Sequence, residues 1–195
     1  NFLDKIKQER KMSGLTFVQL KERYPEIRKV ISDVTEIVCN RPKDKQIRKS
    51  KTSGKRKQYT IKKQISITDN HRIIAISKTY PGSVHDFTIE KQERMIGKMP
   101  KETYQPVDLG YLGVNKLYPN HYIVLPPKKP KGGELSEFGK NLKRALSRQR
   151  ISVEHVFARI KRYNILKLYR GLDKRFDNVF DNIAAIHNFC IGYQA

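Results

Sequence analysis

The sequence predicts an α/β domain in which helices flank a mixed β-sheet. Three strand patterns come first, two of them joined as a hairpin, and further strands then alternate with helical patterns. The length agrees with this, because 195 residues suit one domain with a continuous core, or one domain with a short extension. We therefore expect a connecting helical segment at 1–28 and the domain itself at 29–195.

The first strand is predicted in residues 29–38, KVISDVTEIV, where β-branched residues recur throughout. Strand alternation places Asp33 on the same face as Ile31 and Ile37. An acid therefore lies on an apolar face of this strand. Upstream, residues 15–28, LTFVQLKERYPEIR, predict a short helix that stops near its proline, because proline disfavours helix at the residue before it.

A basic loop and a hairpin follow the first strand. Residues 41–58, with Ser53 and Gly54 at their tip, predict a long exposed loop. The segments YTIKKQISIT and HRIIAISKTY predict two strands around Asp69 and Asn70, a turn pair of the hairpin type. Three antiparallel strands are thus expected early in the domain.

The middle of the chain alternates between helix and strand. The segment PGSVHDFTIEKQERMIG predicts a turn and then a helix, with Ser83 or Asp86 available as its cap. The strand YQPV ends at Asp108, and the glycines of DLGYLG allow a tight bend directly behind that acid. A further strand, HYIVLPP, leads into the loop KKPKGG.

Two helices complete the domain. From Ser136 to about Tyr169 the chain has no proline, and its one glycine is Gly139. Apolar residues recur there at helical spacing, which predicts one long helix with at most one break. The last helix, RFDNVFDNIAAIHNFCIGY, is apolar enough to pack on the sheet. This order of strands and helices fits the ribonuclease H-like fold.

Charge identifies the class of partner. The chain carries 41 Lys and Arg against 19 Asp and Glu, a net charge of +22, which favours a polyanion such as double-stranded DNA. Segments 41–63 and 128–175 hold eleven bases against one acid and fifteen against four, so they carry nearly all of the excess. No stretch approaches the 18 apolar residues of a membrane span. A cytoplasmic protein associated with the nucleoid is expected.

Three acids are candidates for metal chemistry. Asp33 on the first strand, Asp108 at the end of the fourth and Glu154 on a late helix can converge at one sheet edge. Phosphodiester chemistry with two metal ions uses such carboxylates, because hard cations prefer oxygen ligands. The alternative is that Asp33 pairs with a lysine, Asp108 opens a turn and Glu154 is an ordinary surface acid.

The long helix surrounds its acid with bases. Arg150, Glu154 and Lys161 differ by four and seven positions and so share one face. One interpretation is that Glu154 holds metal while the two bases bind flanking phosphates. The alternative is a surface ion pair between Arg150 and Glu154, worth a few tenths of a kcal/mol.

Five motifs in this order carry a resemblance to a known family: DVTE, PGSVHD, DLGYLG, LPPKKPKGGEL and RxxxExxxxxxK. They resemble the catalytic domain of bacterial insertion-sequence transposases of the DDE class, in the subgroup related to Harbinger elements. The resemblance implies that Asp33, Asp108 and Glu154 form the DDE triad and bind two Mg²⁺ (or Mn²⁺) ions. It implies hydrolysis of phosphodiesters at element ends and transfer of the 3′-OH into target DNA, by a homo-oligomer assembled on DNA.

The resemblance also assigns the surrounding residues. Asp86, in SVHD, matches a family motif and is a possible supporting acid, although an acid there also serves as a helix cap. The family has an N-terminal helix-turn-helix, and too little chain precedes Asp33 to hold it, so we expect that module to be absent. Two other functions stay open: an inactive DNA-binding remnant of a transposase, and a general nuclease of the same fold. The candidate DNA-binding residues are Arg150, Lys161, Lys128, Lys129, Lys131, Lys55, Arg56 and Lys57.

Overall fold

The computed structural model describes residues 27–192, together with the isolated residues 4 and 22. Of the helix predicted in residues 15–28, the structure describes only Glu22, which is helical, and residues 27 and 28, which have no regular structure. The rest of that prediction lies outside the described residues. The first strand of the sheet begins at Val30.

The sheet is built outward from its first strand. β1 (Val30–Cys39) pairs antiparallel with β2 (Thr60–Thr68), and β2 pairs antiparallel with β3 (Ile73–Ile76) and with the short β4 (Tyr80–Pro81). The turn between β2 and β3 falls on the predicted Asp-Asn pair. The three early antiparallel strands predicted from sequence are therefore confirmed.

The other edge of β1 has partners at its two ends. β5 (Gln105–Pro106) and β6 (Ile123–Val124) form a parallel pair, and a parallel bridge from Lys29 to Tyr104 joins that pair to the start of β1. β7 (Leu168–Tyr169) pairs in parallel with the end of β1. The sheet is therefore mixed, as predicted, and the stretch of β1 between these two contacts lines an open groove.

Helices cover both faces of this sheet. α1 (Lys45–Lys51), α2 (Asp86–Glu93), α3 (Val114–Leu117), α4 (Glu137–Ile160) and α5 (Asp173–Gly192) are the α-helices of the described residues. α4 and α5 pack on the face of β1 that carries Ile31 and Ile37, where Val153, Phe176 and Phe180 complete the main core. A second cluster, formed by Val34, Phe87, Ile96, Val107, Tyr111 and Val114, fills the opposite face under α2 and α3.

Three local predictions were wrong. Residues 41–58 are not a continuous loop: Asp44 caps α1 by accepting from Ile47 N at 2.8 Å, and the buried Lys51 at its end pairs with Asp173 of α5. The long helix ends at Ile160 instead of Tyr169, because the residues that follow turn back to pair with β1 as β7.

The cap of α2 also differs from the prediction. His85 occupies the N-cap position and makes no side-chain hydrogen bond there. Ser83 is exposed, and the carboxylate of Asp86 is turned away to a lysine of β2. Asp86 is therefore held by a tertiary contact, which sequence neighbours do not reveal.

The aromatic side chains packed around α5 indicate where a substitution should lower the stability of the fold most. Phe176 is fully buried, with its ring centroid 4.6 Å from that of Tyr169 and 6.0 Å from that of Phe180. Phe176→Ala should lower the free energy of unfolding by about 3–5 kcal/mol. Phe138→Ala is the matched control, because Phe138 is 77% exposed and its loss should cost about 0.5 kcal/mol or less. Urea denaturation followed by far-UV circular dichroism measures both, and equal losses would contradict this view of the core.

Candidate active site

The centre of the candidate site is the guanidinium of Arg150, which contacts two carboxylates. Its Nη2 donates to Asp33 Oδ2 at 3.1 Å, and its Nη1 lies 3.1 Å from Asp108 Oδ1. Because both nitrogens belong to one planar group, the two carboxyl oxygens are no more than roughly 9 Å apart. Two acids that are far apart in the sequence therefore meet at one cation.

Asp33 is presented by β1 on the face that α4 covers. Its Oδ1 accepts from the backbone N–H of Val34 at 2.8 Å, and its side chain is only 17% exposed. Burial raises the pKa of Asp33, and the charge and hydrogen bond of Arg150 oppose that rise without cancelling it. A cation close to Asp33 therefore favours its charged form.

Asp108 lies at the end of the β5 strand and serves two roles. Its Oδ1 accepts from Leu109 N at 2.8 Å and so caps the short 3₁₀ helix Leu109–Tyr111, while the same side chain reaches Arg150. Gly113 follows at φ 99°, a left-handed conformation that favours glycine. The tight bend predicted behind Asp108 is confirmed, and turn formation is compatible with a role in the site.

Glu154 lies one helical turn beyond Arg150 but does not join the two aspartates. Its side chain is exposed, and it lines a separate surface groove on α4 with Ile151, Arg148 and other residues. Within residues 27–192, no three His, Cys, Asp or Glu side chains are arranged to hold a metal ion. The structure thus brings Asp33 and Asp108 together and leaves Glu154 outside.

The alternative interpretation of Glu154 as an ion-pair partner is also not observed. Arg150 directs both terminal nitrogens to Asp33 and Asp108, and no ion pair joins it to Glu154 among the described residues. The two side chains share a helix face, as the spacing predicts, yet they point into different surroundings. The reason is that Arg150 is long enough to cross the edge of the core to β1.

A groove of about 410 Å³ runs beside Asp33 along the open edge of β1. Acids from β1 and α2 and bases from three segments of the chain face each other across it. Its charged lining residues are Asp33, Glu36, Asp86, Lys55, Arg56, Lys62 and Lys161. Three of the bases predicted to bind DNA therefore border the same groove as the first acid of the proposed triad.

Lys161 is the most enclosed of these predicted DNA-binding bases. Burial and the positive charge of Arg56 lower its pKa, while the carboxylates of Glu36 and Asp33 act in the opposite direction. Its ammonium also lies 5.7 Å from the centroid of the Phe157 ring. Lys161 is therefore held at the wall of the groove, close to the acids.

Lys62 is a residue of the site that sequence reasoning missed. Its Nζ donates to Asp86 Oδ1 at 2.9 Å and to the Val84 carbonyl at 2.8 Å, and it lies 3.6 Å from Glu36 Oε1. The signal was the register of the sheet, because Lys62 is directly opposite Glu36 in the antiparallel pair of β1 and β2. Lys62 thereby connects the acid of α2 to the acid of β1.

Apart from Arg150, the remaining predicted DNA-binding bases lie at the surface outside this groove. Lys57 is exposed at the loop tip with φ 55°, and Lys128, Lys129 and Lys131 are exposed in the connection between β6 and α4. They are accessible to a polyanion, but they do not contact the carboxylates. Their role in DNA binding stays a prediction.

Buried polar atoms around Asp33 are incompletely satisfied. The hydroxyls of Thr35 and Tyr111 and the Nε of Arg150 have no hydrogen-bond partner among the described residues. Tyr111 is completely buried, and burial together with the negative charges of Asp33 and Asp86 raises its pKa. Since buried polar groups in folded proteins are almost always paired, this arrangement leaves the polar atoms at Asp33 short of partners.

The two aspartates fit a hard divalent cation. They offer carboxylate oxygens, which Mg²⁺ and Mn²⁺ prefer, and they already flank one positively charged group. The unpaired Tyr111 hydroxyl adds a polar atom behind them. Asp33 and Asp108 are therefore the residues of the described chain that could hold such an ion, with the third carboxylate supplied only if Glu154 changes position.

Comparisons with known proteins identify the family of the chain. Residues 32–192 match the sequence model of a family described as the DDE superfamily endonucleases. The chain is also similar to a probable transposase for insertion sequence element IS702 from Microchaete diplosiphon, with 36% identity over 167 residues. That alignment covers 85% of this chain and 58% of the relative, so the chain spans less than two thirds of the relative's length.

Two further findings concern solved structures and membrane spans. No solved structure matches the chain. Among the described helices, none is both long and apolar enough to cross a bilayer. The family match extends from Ser32, next to the first aspartate, to the end of α5, and so includes Asp33, Asp108 and Glu154. On this evidence the chain belongs to the DDE superfamily endonuclease family.

Proposed function

We propose that this chain is the catalytic domain of an insertion-sequence transposase. It would hydrolyse phosphodiester bonds at the ends of the element and transfer the resulting 3′-OH into target DNA. The observation that carries the proposal is the pair of aspartates from separate strands that share one cation beside a basic groove. The family match and the printed name of the IS702 relative support the same function.

The proposed cofactor is Mg²⁺, or Mn²⁺, bound as two ions by Asp33, Asp108 and Glu154. When bound, such ions polarise the scissile phosphate and make an attacking oxygen available near neutral pH. Asp33 and Asp108 would hold the first ion from β1 and from the cap of the 3₁₀ helix. Glu154 would enter from α4, where it lies about 6 Å along the helix axis from Arg150.

The groove would hold the DNA backbone through its bases. Lys55, Arg56 and Lys161 line it together with Asp33, so a phosphate bound to these bases would lie next to Asp33. Asp86 would act as a supporting acid by fixing Lys62, which in turn contacts Glu36. In this arrangement Lys62 is a positioning residue rather than a ligand of the metal or the phosphate.

We extend the proposal to assembly and location. Joining two element ends to one target requires more than one active site, so the domain would act as a homo-oligomer on DNA. The net charge of +22 favours association with the nucleoid in the cytoplasm, where its duplex substrate lies. Assembly and location are therefore parts of the same proposal.

One observation favours a second candidate function, an inactive DNA-binding remnant. Glu154 is exposed and lies outside the pair formed by Asp33 and Asp108, so the described residues do not assemble three carboxylates. A remnant would keep the fold and the basic groove and would have lost cleavage. A general nuclease of the same fold would cleave DNA but would not join a free 3′-OH to a second duplex.

Substitution of the acids separates these functions. Asp108→Asn and Glu154→Gln should each reduce cleavage of a labelled element-end duplex in Mg²⁺ by about a hundredfold or more, since each removes a metal ligand. DNA affinity of Glu154→Gln should be equal or higher, because an anion is removed from a basic surface. Glu137→Gln, an exposed acid at the start of the same helix, is the control and should cleave like the parent.

The outcomes distinguish all three candidates. Cleavage by the parent and by Glu154→Gln at equal rates would mean that Glu154 is not a ligand. A parent that binds the duplex without cutting it supports the remnant. Cleavage without joining of the 3′-OH to a second labelled duplex supports the general nuclease.

The basic groove predicts a steep dependence of DNA binding on salt. For a chain that neutralises about eight phosphates, the logarithm of the DNA-binding constant should fall with the logarithm of the salt concentration, with a slope of about −7. Lys55→Gln combined with Arg56→Gln should make that slope shallower by about 2, because two phosphate contacts are lost. A charge-matched control is Lys98→Gln with Lys116→Gln, at exposed lysines outside the groove. Fluorescence anisotropy over a salt series measures this, and equal slopes for both double variants would show that DNA binds elsewhere.

A further inference from the structure

Arg150 occupies the position that a metal ion would need. Its guanidinium touches Asp33 and Asp108 at 3.1 Å each, and its side chain is only 14% exposed. A divalent ion that bridges these carboxylates would use the same oxygens, and it would lie within a few ångströms of a permanent positive charge. Contact repulsion between like charges in a partly buried site is strong, so the ion and this arrangement of Arg150 exclude each other.

The environment of Arg150 leaves its guanidinium incompletely paired. The Nε of Arg150 is buried without a hydrogen-bond partner among the described residues, and so are the hydroxyls of Thr35 and Tyr111. A guanidinium fixed permanently as a structural ion pair is expected to use its Nε as well, because an unpaired buried donor costs about 1–3 kcal/mol. Arg150 is therefore incompletely paired in the arrangement that the structure shows.

A DNA phosphate is the chemical group suited to draw Arg150 away. Arginine binds phosphate through two parallel hydrogen bonds, as it binds carboxylate, so the exchange replaces one anion by another. The neighbouring groove is lined by Lys161, Arg56 and Lys55, which would bring a phosphate next to Asp33. Arg150 would then bind the phosphate, and the carboxylates of Asp33 and Asp108 would be available to a metal ion.

We propose that Arg150 is a displaceable cation that closes the metal site of the free protein, so that loading of divalent metal is coupled to DNA binding. This inference rests on the proposed function for the identity of the two ligands, but it assigns a new role to a residue of α4. In the free protein Arg150 neutralises Asp33 and Asp108. On DNA it moves to a phosphate, and the aspartates become free to bind Mg²⁺ or Mn²⁺.

The position of Glu154 is consistent with this exchange. Glu154 is exposed, has no ion pair with another described residue and lies one turn from Arg150 on the same helix. While Arg150 fills the space between the aspartates, a third carboxylate has no cation there to bind. After Arg150 leaves, a divalent ion at Asp33 and Asp108 would attract the unpaired carboxylate of Glu154.

The test measures metal binding in the absence of DNA and of catalysis. Titration with Mn²⁺, followed by the electron paramagnetic resonance signal of the free ion, gives the affinity of the whole chain directly. Arg150→Gln should bind Mn²⁺ about tenfold more tightly than the parent, or tighter still. Arg148→Gln removes the same charge from an exposed position two residues earlier on α4 and should change the affinity less than about twofold.

A second arm measures the coupling to DNA. Addition of a short duplex should tighten Mn²⁺ binding by the parent and by Arg148→Gln several-fold, because phosphate relieves the aspartates of Arg150. The same duplex should leave the affinity of Arg150→Gln nearly unchanged. Arg150→Lys keeps the charge but cannot bridge two carboxylates as a planar fork does, so its affinity should fall between those of the parent and Arg150→Gln.

The result that overturns the inference is an Arg150→Gln variant with a native circular dichroism spectrum and parental or weaker Mn²⁺ affinity. If Arg150→Gln does not fold, Arg150→Lys decides, and parental affinity in that variant has the same meaning. Equal tightening in Arg150→Gln and Arg148→Gln would show an effect of net charge only, which also contradicts the inference. Failure of the proposed metal site looks different: Asp33→Asn would then bind Mn²⁺ as well as the parent does.

Discussion

The ion pairs of Arg150 are the interaction on which the rest of the site depends. One guanidinium joins Asp33 of β1 to Asp108 behind β5, and it is carried by α4, so three separate parts of the chain meet at a single charge. Without a cation there, two carboxylates would face each other at the edge of a core, and burial already raises the pKa of Asp33. A positive charge between these acids therefore favours the charged form of Asp33.

A second set of charges shapes the groove next to this point. Lys62 contacts Glu36 and Asp86 and so connects β1, β2 and α2, while Lys51 pairs with Asp173 and fixes the end of α1 against α5. The loop that carries Lys55 and Arg56 begins where α1 ends, so this anchor determines where those bases lie. Within the groove, Glu36 and Asp86 are thus paired with the internal Lys62, whereas Lys55 and Arg56 stay exposed.

Sequence patterns could predict those parts of the fold and site that depend on local order. Alternation in β1 placed Asp33 on an apolar face, and the Asp-Asn turn and the glycines behind Asp108 indicated the hairpin and the bend, all as the structure has them. α1 and the end of α4 could not be predicted, since both depend on tertiary contacts, the pairing of Lys51 with Asp173 and of β7 with β1.

The directions of the side chains in the site could likewise not be predicted from the sequence. Helical spacing correctly gave Arg150 and Glu154 a common face, but it could not say that Arg150 reaches the aspartates while Glu154 stays exposed. That difference comes from the rotation of α4, which is fixed by the burial of Val153 and Phe157, and from the greater length of arginine. Whether the observed arrangement is one state of a metal site can be measured directly, by anomalous scattering at the manganese edge from crystals of the chain grown with Mn²⁺ and a short duplex. We expect a peak between the carboxylates of Asp33 and Asp108 with Arg150 withdrawn from both. A peak at other residues, or bound DNA with Arg150 still bridging the two aspartates and no metal beside them, would contradict this account.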